Sequence, residues 1–238
     1  MPKYKLLSAL LSLFLLSFTF SNASASVMML GTRVIYPADV KEKSLVFTNT
    51  GNDPVLLQVW TDINNPDSTA ETADAPFLVM PPIFRINPTV KHNLRLKFTG
   101  ADLPQDRESL FWLNFLQYPA KKESDKGKNS LILMIKSRVK ILYRPSGLAG
   151  NANKSLDDVK VSLNGKNIEV KNASPWFISV ANAFIEEGQR KNTVKSSEVI
   201  KPYSTAQWVM PSGAGKKLTI NAINDYGGVF SKTYTLVQ

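Results

Sequence analysis

Chemistry in a polypeptide needs nucleophiles, acid–base groups or metal ligands at workable spacing, and this chain of 238 residues offers few: no Cys and a single His, His92. A zinc centre would have to be built from carboxylates, because the sequence holds no HExxH pair and no cluster at ligand spacing. A Ser-His-Asp relay would depend on His92, which stands in Val90-Lys91-His92-Asn93 beside a strand start, where such a residue usually belongs to a turn. No glycine-rich phosphate loop occurs. No catalytic residue, metal or cofactor is therefore expected, and binding or scaffolding is favoured over catalysis. The chemical signal that remains is apolar and cationic. Leu131 to Ile135 are five consecutive apolar residues, and Lys136, Arg138 and Lys140 follow at alternate positions.

These residues lie in Asn129 to Pro145, which reads as one long β-strand from Leu131 to Tyr143 stopped by a proline. At about 3.3 Å per residue such a strand spans roughly 40 Å, about twice the usual length. Leu131, Leu133 and Ile135 would share one face and Ile132 and Met134 the other, so both faces are apolar. Two readings fit: a central strand buried on both sides, or an edge strand whose second apolar face is kept for another chain.

The formal net charge is +10. Lys3 and Lys5 precede a mostly apolar run from Leu6 to Phe20, and Ala23-Ser24-Ala25 closes the segment, the order of a secretory signal cleaved near Ala25. A membrane anchor is disfavoured, since the run is short and contains Ser8, Ser12 and Ser17. No other segment is long and apolar enough to span, so no stable membrane insertion is expected. The basic excess is spread along the chain without a run of interleaved aromatics, which argues against nucleic acid and for solubility and steering of partners. An exported chain without Cys must hold its fold by core burial alone.

From Thr32 onward short strands alternate with turns. Thr32 to Tyr36, Ser44 to Asn49, Val55 to Thr61, Asn93 to Phe98 and Leu110 to Gln117 precede the long strand. Pro145 to Asn151 suits an interdomain linker. Val159 to Leu163 and Lys166 to Lys171 flank Asn164-Gly165, a hairpin signal, and Phe177 to Phe184, Ser204 to Met210, Lys217 to Ala222 and Phe230 to Val237 follow. The pattern predicts an all-β protein of two immunoglobulin-like antiparallel β-sandwich domains, with a leader over 1–25, a first domain over 26–147 and a second over 148–238. The charged stretch Lys121 to Lys128 reads as a solvated loop. Asn172-Ala173-Ser174 matches a glycosylation sequon to which no role is assigned.

GTRVIYP (Gly31 to Pro37), PPIFR (Pro81 to Arg85), LPQDRESLFWLN (Leu103 to Asn114), KILYRP (Lys140 to Pro145) and INDYGG (Ile223 to Gly228) together resemble the periplasmic pilus-assembly chaperones. The five motifs occur in order and cover essentially the whole mature chain. The resemblance implies two domains set as an L or boomerang, and a long last strand of the first domain lent to a pilin subunit that lacks its own final strand. It places the lending side chains at Leu131, Leu133 and Ile135 and the cations that hold the subunit's terminal carboxylate at Arg33 and Lys140. Glu108, Arg144 and Asp225 match an interdomain charge cluster, and Pro54, Pro81 and Pro82 match prolines used in capping and in docking to an outer-membrane usher. The short loop before the long strand and the absence of Cys resemble the short-loop branch of the family, which serves rod-forming or composite adhesive pili.

The implied partners are pilin subunits and the usher, with self-association of the free protein left open, and the implied site of action is the periplasm. Ile135 and Lys140 are five apart, so a regular strand turns them to opposite faces. A bulge or strong twist would reconcile them, or the carboxylate would reach across the strand edge. The competing class is a secreted β-sandwich adhesin or carbohydrate-binding module. It would need Trp60, Trp112, Trp176 and Trp208 along an exposed groove, whereas each sits in or beside an apolar strand pattern and is expected in the core.

Overall fold

A computed structural model describes residues 27–120, 127, 131–188, 190–212 and 215–236, so the expected leader and nearly all of the charged loop lie outside the described residues. No helix among the described residues is long and apolar enough to cross a membrane. The first half of the chain folds into two facing sheets. One has the order β1 (Val27–Met29), β3 (Lys43–Asn49), β7 (Lys91–Phe98), β5 (Phe77–Met80). The other has the order β2 (Arg33–Pro37), β9 (Ile135–Arg144), β8 (Ser109–Pro119), β4 (Val55–Asp62), β6 (Ile83–Ile86). Alternation in the sequence puts Leu57 and Val59 of β4 and Phe111, Leu113 and Phe115 of β8 against Leu45 and Phe47 of β3 and Leu94 and Leu96 of β7, forming one buried cluster. Phe47 packs edge-on against Phe84 and Phe115 at 5.9 and 5.2 Å, which locks the two layers together.

The first strand divides itself between the layers. β1 pairs antiparallel with β3, the chain turns at Gly31 with φ +91°, and β2 pairs parallel with β9, where an antiparallel sandwich had been expected. A side chain at position 31 would be strained in that left-handed conformation, so glycine makes the crossing between sheets. His92 is not in a turn but the second residue of β7, stacked on Phe84 at 4.0 Å.

After a 3-10 turn at Ala152–Asp158, the second half forms another pair of sheets. β10 (Val159–Asn164), β11 (Asn167–Asn172) and β15 (Thr205–Val209) make one. β13 (Arg190–Val194), β12 (Ile178–Glu187), β16 (Lys217–Ile223) and β17 (Val229–Thr235), with β14 (Val199–Ile200) beside β12, make the other. Ile168, Val170, Ile185, Trp208, Leu218 and Ile220 are among its buried side chains. The hairpin closes with Asn164 opposite Asn167, so its two-residue loop is Gly165-Lys166, one position later than the sequence suggests. In β12 the apolar phase changes from Ile178 and Val180 to Ala183 and Ile185, and the register shift between Val180 and Asn182 absorbs it.

Both sandwiches fix the corner after an inner strand with a buried asparagine. Asn49 donates to the carbonyls of Asp53 and Ile86 and accepts from Gly51 N–H. Asn172 donates to the carbonyls of Trp176 and Lys201 and accepts from Ser174 N–H and its hydroxyl. The sequon asparagine is thus consumed by internal hydrogen bonds and is 0% exposed.

Candidate functional site

The ladder between β8 and β9 runs unbroken from Ser109 opposite Tyr143 to Gln117 opposite Ile135. On the other side of β9, β2 pairs only from Lys140 to Arg144. From Ile135 to Val139 one edge of β9 therefore has no strand beside it among the described residues, an open template of backbone donors and acceptors. Upstream, Leu131 to Met134 are not in strand, so the observed element is shorter than the expected run from Leu131. The neighbouring strand explains this, since β8 ends at Pro119, which has no N–H with which to extend the ladder. Leu131 is 85% exposed, Leu133 71% and Ile135 51%, and Ile132 and Met134 are exposed too, which removes the buried central strand as a reading of this segment.

Along β9 the side chains alternate without a break. Ile141 and Tyr143 enter the core with Val139 packed beside them, and Ile135 is in phase with these three. Lys136, Arg138 and Lys140 take the opposite face. The bulge proposed to bring Ile135 and Lys140 to one side is absent, and the two residues stand on opposite faces of a regular strand.

The cationic face is partly covered by the segment that follows β4. Asp62, fully buried, accepts from Arg138 at 2.6 Å, Asn114 at 2.6 Å, the N–H of Asn65 at 2.7 Å and the Ser68 hydroxyl at 3.1 Å. Lys136 donates to the carbonyls of Pro66 and Ser68, and Arg138 stacks 4.0 Å over the Trp112 ring. Burial pushes the Asp62 carboxyl up, but the hydrogen bonds from Arg138, Asn114 and Asn65 outweigh it and hold the group below its ordinary value. A carboxylate depressed in the folded state adds stability that is complete above the unfolded value of about 4 and is lost as pH falls through the folded one. Asp62→Asn is expected to melt lower at neutral pH and to show a shallower fall in Tm than the parent between about pH 5 and pH 2, as thermal melts followed by circular dichroism would show. Nothing in sequence spacing pairs Asp62 with Arg138.

Where β2 meets β9, Arg33 and Lys140 are direct neighbours in register. Arg33 is half-buried, not a solvated strand cation. Its Nη1 donates to the carbonyl of Ile223 at 2.9 Å, while its Nε is buried without an acceptor. Lys140 lies 5.1 Å from the centre of the Trp112 ring, and neither cation forms an ion pair among the described residues. Burial lowers the pKa of Arg33, with Asp225 and Glu108 opposing. Burial also lowers Lys140, helped by Arg33 and Arg138 and opposed by Glu198. The two adjacent cations repel each other, and among the described residues no carboxylate is in ion-pair contact with either. A cavity of about 520 Å³ lies on the other side of Trp112, lined among others by Trp112, Leu110, Phe177, Glu198 and Val199 and by neither cation. Trp112 is thus only half-buried and faces this cleft, unlike Trp60, Trp176 and Trp208, which are buried as expected.

Behind the cations, Arg144 joins the two sandwiches. Its Nε donates to Glu108 at 2.8 Å, and its two terminal nitrogens reach the Asp225 carboxylate at 2.8 and 3.0 Å. Glu108 also accepts from Phe177 N–H at 2.8 Å, and Arg144 lies 4.9 Å over the Trp176 ring. Burial pushes the Glu108 carboxyl up against the pull of Arg144 and Phe177 N–H, whereas the two carboxylates more than offset burial and hold the Arg144 guanidinium above its ordinary value. The three prolines are not one cluster: Pro81 and Pro82 are exposed just before β6, and Pro54 is half-buried at the opposite end of the four-rung β4–β6 ladder.

Two sandwiches joined by a shared arginine, with an open apolar edge on one of them and two adjacent cations where β2 meets β9, define a class of two-domain β-proteins with a strand edge left free. Residues 26–149 match the family described as "Pili and flagellar-assembly chaperone, PapD N-terminal domain", and residues 154–234 match "Pili assembly chaperone PapD, C-terminal domain". The chain belongs to the pilus-assembly chaperone family. Among its relatives, the chaperone protein MrkB of Klebsiella pneumoniae is 36% identical over 215 residues, covering 88% of this chain and 91% of that protein. The crystal structure of the YadV chaperone superposes with a TM-score of 0.75 at 31% identity, covering 89% of this chain and all of that one. The Salmonella enterica SafA pilin in complex with the SafB chaperone gives a TM-score of 0.76 at 28% identity, covering 91% of this chain and 99% of that one.

Proposed function

We propose that this protein is a periplasmic, ATP-independent chaperone of fimbrial biogenesis. It captures pilin subunits by lending the open edge at Leu131, Leu133 and Ile135, and delivers them to an outer-membrane usher. The observation that carries the reading is the run of five exposed apolar residues leading directly into an edge that β2 leaves free. Monomeric proteins rarely display such a run on an unpaired edge unless something covers it. Strand addition is a recurring mode of peptide recognition, of which chaperone–pilin complementation is itself a known example.

On this reading Arg33 and Lys140 hold the subunit's terminal carboxylate. Glu108, Arg144 and Asp225 orient the domains around that anchor, and the exposed Pro81 and Pro82, with Pro54, belong to surfaces for capping and the usher. Burying the three lending side chains contributes roughly 1.5–3 kcal/mol each before ordering costs. The solved SafB chaperone, which holds a pilin, supports the assignment of partner. A leader ending near Ala25 would deliver the chain to the periplasm. Purification of the mature protein from periplasm, with mass identification of whatever copurifies, tests the proposal: a fimbrial subunit in stoichiometric amount is expected. A preparation free of any such subunit, together with glycan binding by the isolated protein, would favour an adhesin instead.

A further inference from the structure

The two most exposed large apolar side chains among the described residues are Tyr226 at 87% and Leu131 at 85%. Leu131 belongs to the lending segment. Tyr226 is on the other domain, in the turn between β16 and β17, and that turn is rigidly built. The Asn224 side chain accepts from Tyr226 N–H and Gly228 N–H, and the backbone of Asn224 both donates to Gly228 and accepts from Gly227. Gly227, at φ +87°, approaches Thr32 so closely that a Cβ there would lie 2.9 Å from the Thr32 hydroxyl. Thr32 is the residue before Arg33. The same turn supplies Asp225 to Arg144, and the strand leading into it supplies the Ile223 carbonyl to Arg33.

A turn held this way needs no aromatic at its exposed position, since among the described residues no hydrogen bond uses the Tyr226 ring or hydroxyl. Tyrosine offers a broad contact face at little cost in side-chain entropy, and its enrichment at interfaces follows from that. We propose that Tyr226 is a subunit-binding residue of the second domain. Its ring packs on the terminal segment of the polypeptide whose carboxylate lies on Arg33 and Lys140. The contact is continuous with the carboxylate anchor through Thr32 and Ile223, and it rests on the reading of that anchor given above.

The test titrates fluorescently labelled ten-residue peptides of alternating Val and Thr, made with a free terminal carboxylate and as the terminal amide, against the mature full-length protein by anisotropy. Tyr226→Ala is expected to weaken binding of the acid peptide five- to tenfold with Tm unchanged, and Tyr226→Phe to bind within twofold of the parent. Parental affinity in Tyr226→Ala, or equal losses in the Ala and Phe variants, overturns the ring contact. The anchor is judged separately: in the parent the amide should bind at least tenfold more weakly than the acid, and equal affinities would remove the anchor itself.

Discussion

Arg33→Ala and Lys140→Ala are each expected to abolish recovery of subunit complexes from the periplasm while the chaperone stays folded. Neither side chain belongs to a core cluster, and the backbone pairing of β2 with β9 does not depend on either. What each variant removes is half of a cation couple that is already desolvated. The ordering cost of the site is therefore met before a ligand arrives, and a carboxylate entering it gains two charge-assisted partners at once. Losing one partner of such a buried ionic contact costs about 3–5 kcal/mol, or more than a hundredfold in affinity. Arg33→Lys should fall between, because Lys keeps the charge but loses the planar fork that donates to Ile223. Complex yields in Arg33→Ala and Lys140→Ala equal to the parent would eliminate the anchor.

Leu133→Asp should be nearly as damaging to capture and still leave the melting temperature in place. Leu133 is 71% exposed in the free protein, so its replacement empties no cavity and breaks no packing. On the proposed strand donation the same position enters an apolar site on the subunit. The variant loses about 1.5–3 kcal/mol of burial and must also desolvate a carboxylate that has no partner. Capture measured by coexpression and affinity recovery should drop to background while melts superimpose. A large loss of stability instead would mean that Leu133 is covered by its own protein, contrary to the exposed edge.

Much of the fold was legible because the apolar period in β3, β4, β8, β10, β11 and β16 matches a half-buried strand. The elements that escaped notice, β1, β5, β6, β13 and β14, run from two to five residues, too few to establish a period. β13 is moreover polar, Arg190 to Thr193, and β5 and β6 are separated by Pro81-Pro82, which reads as a break. The apolar run at Leu131 was visible, but periodicity could not say whether it was covered, since that depends on where β2 begins to pair. The Arg33 and Lys140 couple was legible only through motif resemblance. Parallel pairing of strands more than a hundred positions apart leaves no local trace, and neither does the contact of Asp62 with Arg138. Trp112 was misread as core because its strand is apolar on both faces at that point.

The place where β2 takes over the edge of β9 also has a consequence for polarity under the proposed anchor. The open edge runs on from the lending residues Leu131 and Leu133 through Ile135 to Val139, and the next rung belongs to Arg33 beside Lys140. If its last residue ends at those two cations, it must travel in the same sense as β9 and finish nose-to-tail with β2. The chaperone's own opening strand then acts as an end-stop, and it sets both the direction of the visitor and the point at which it halts.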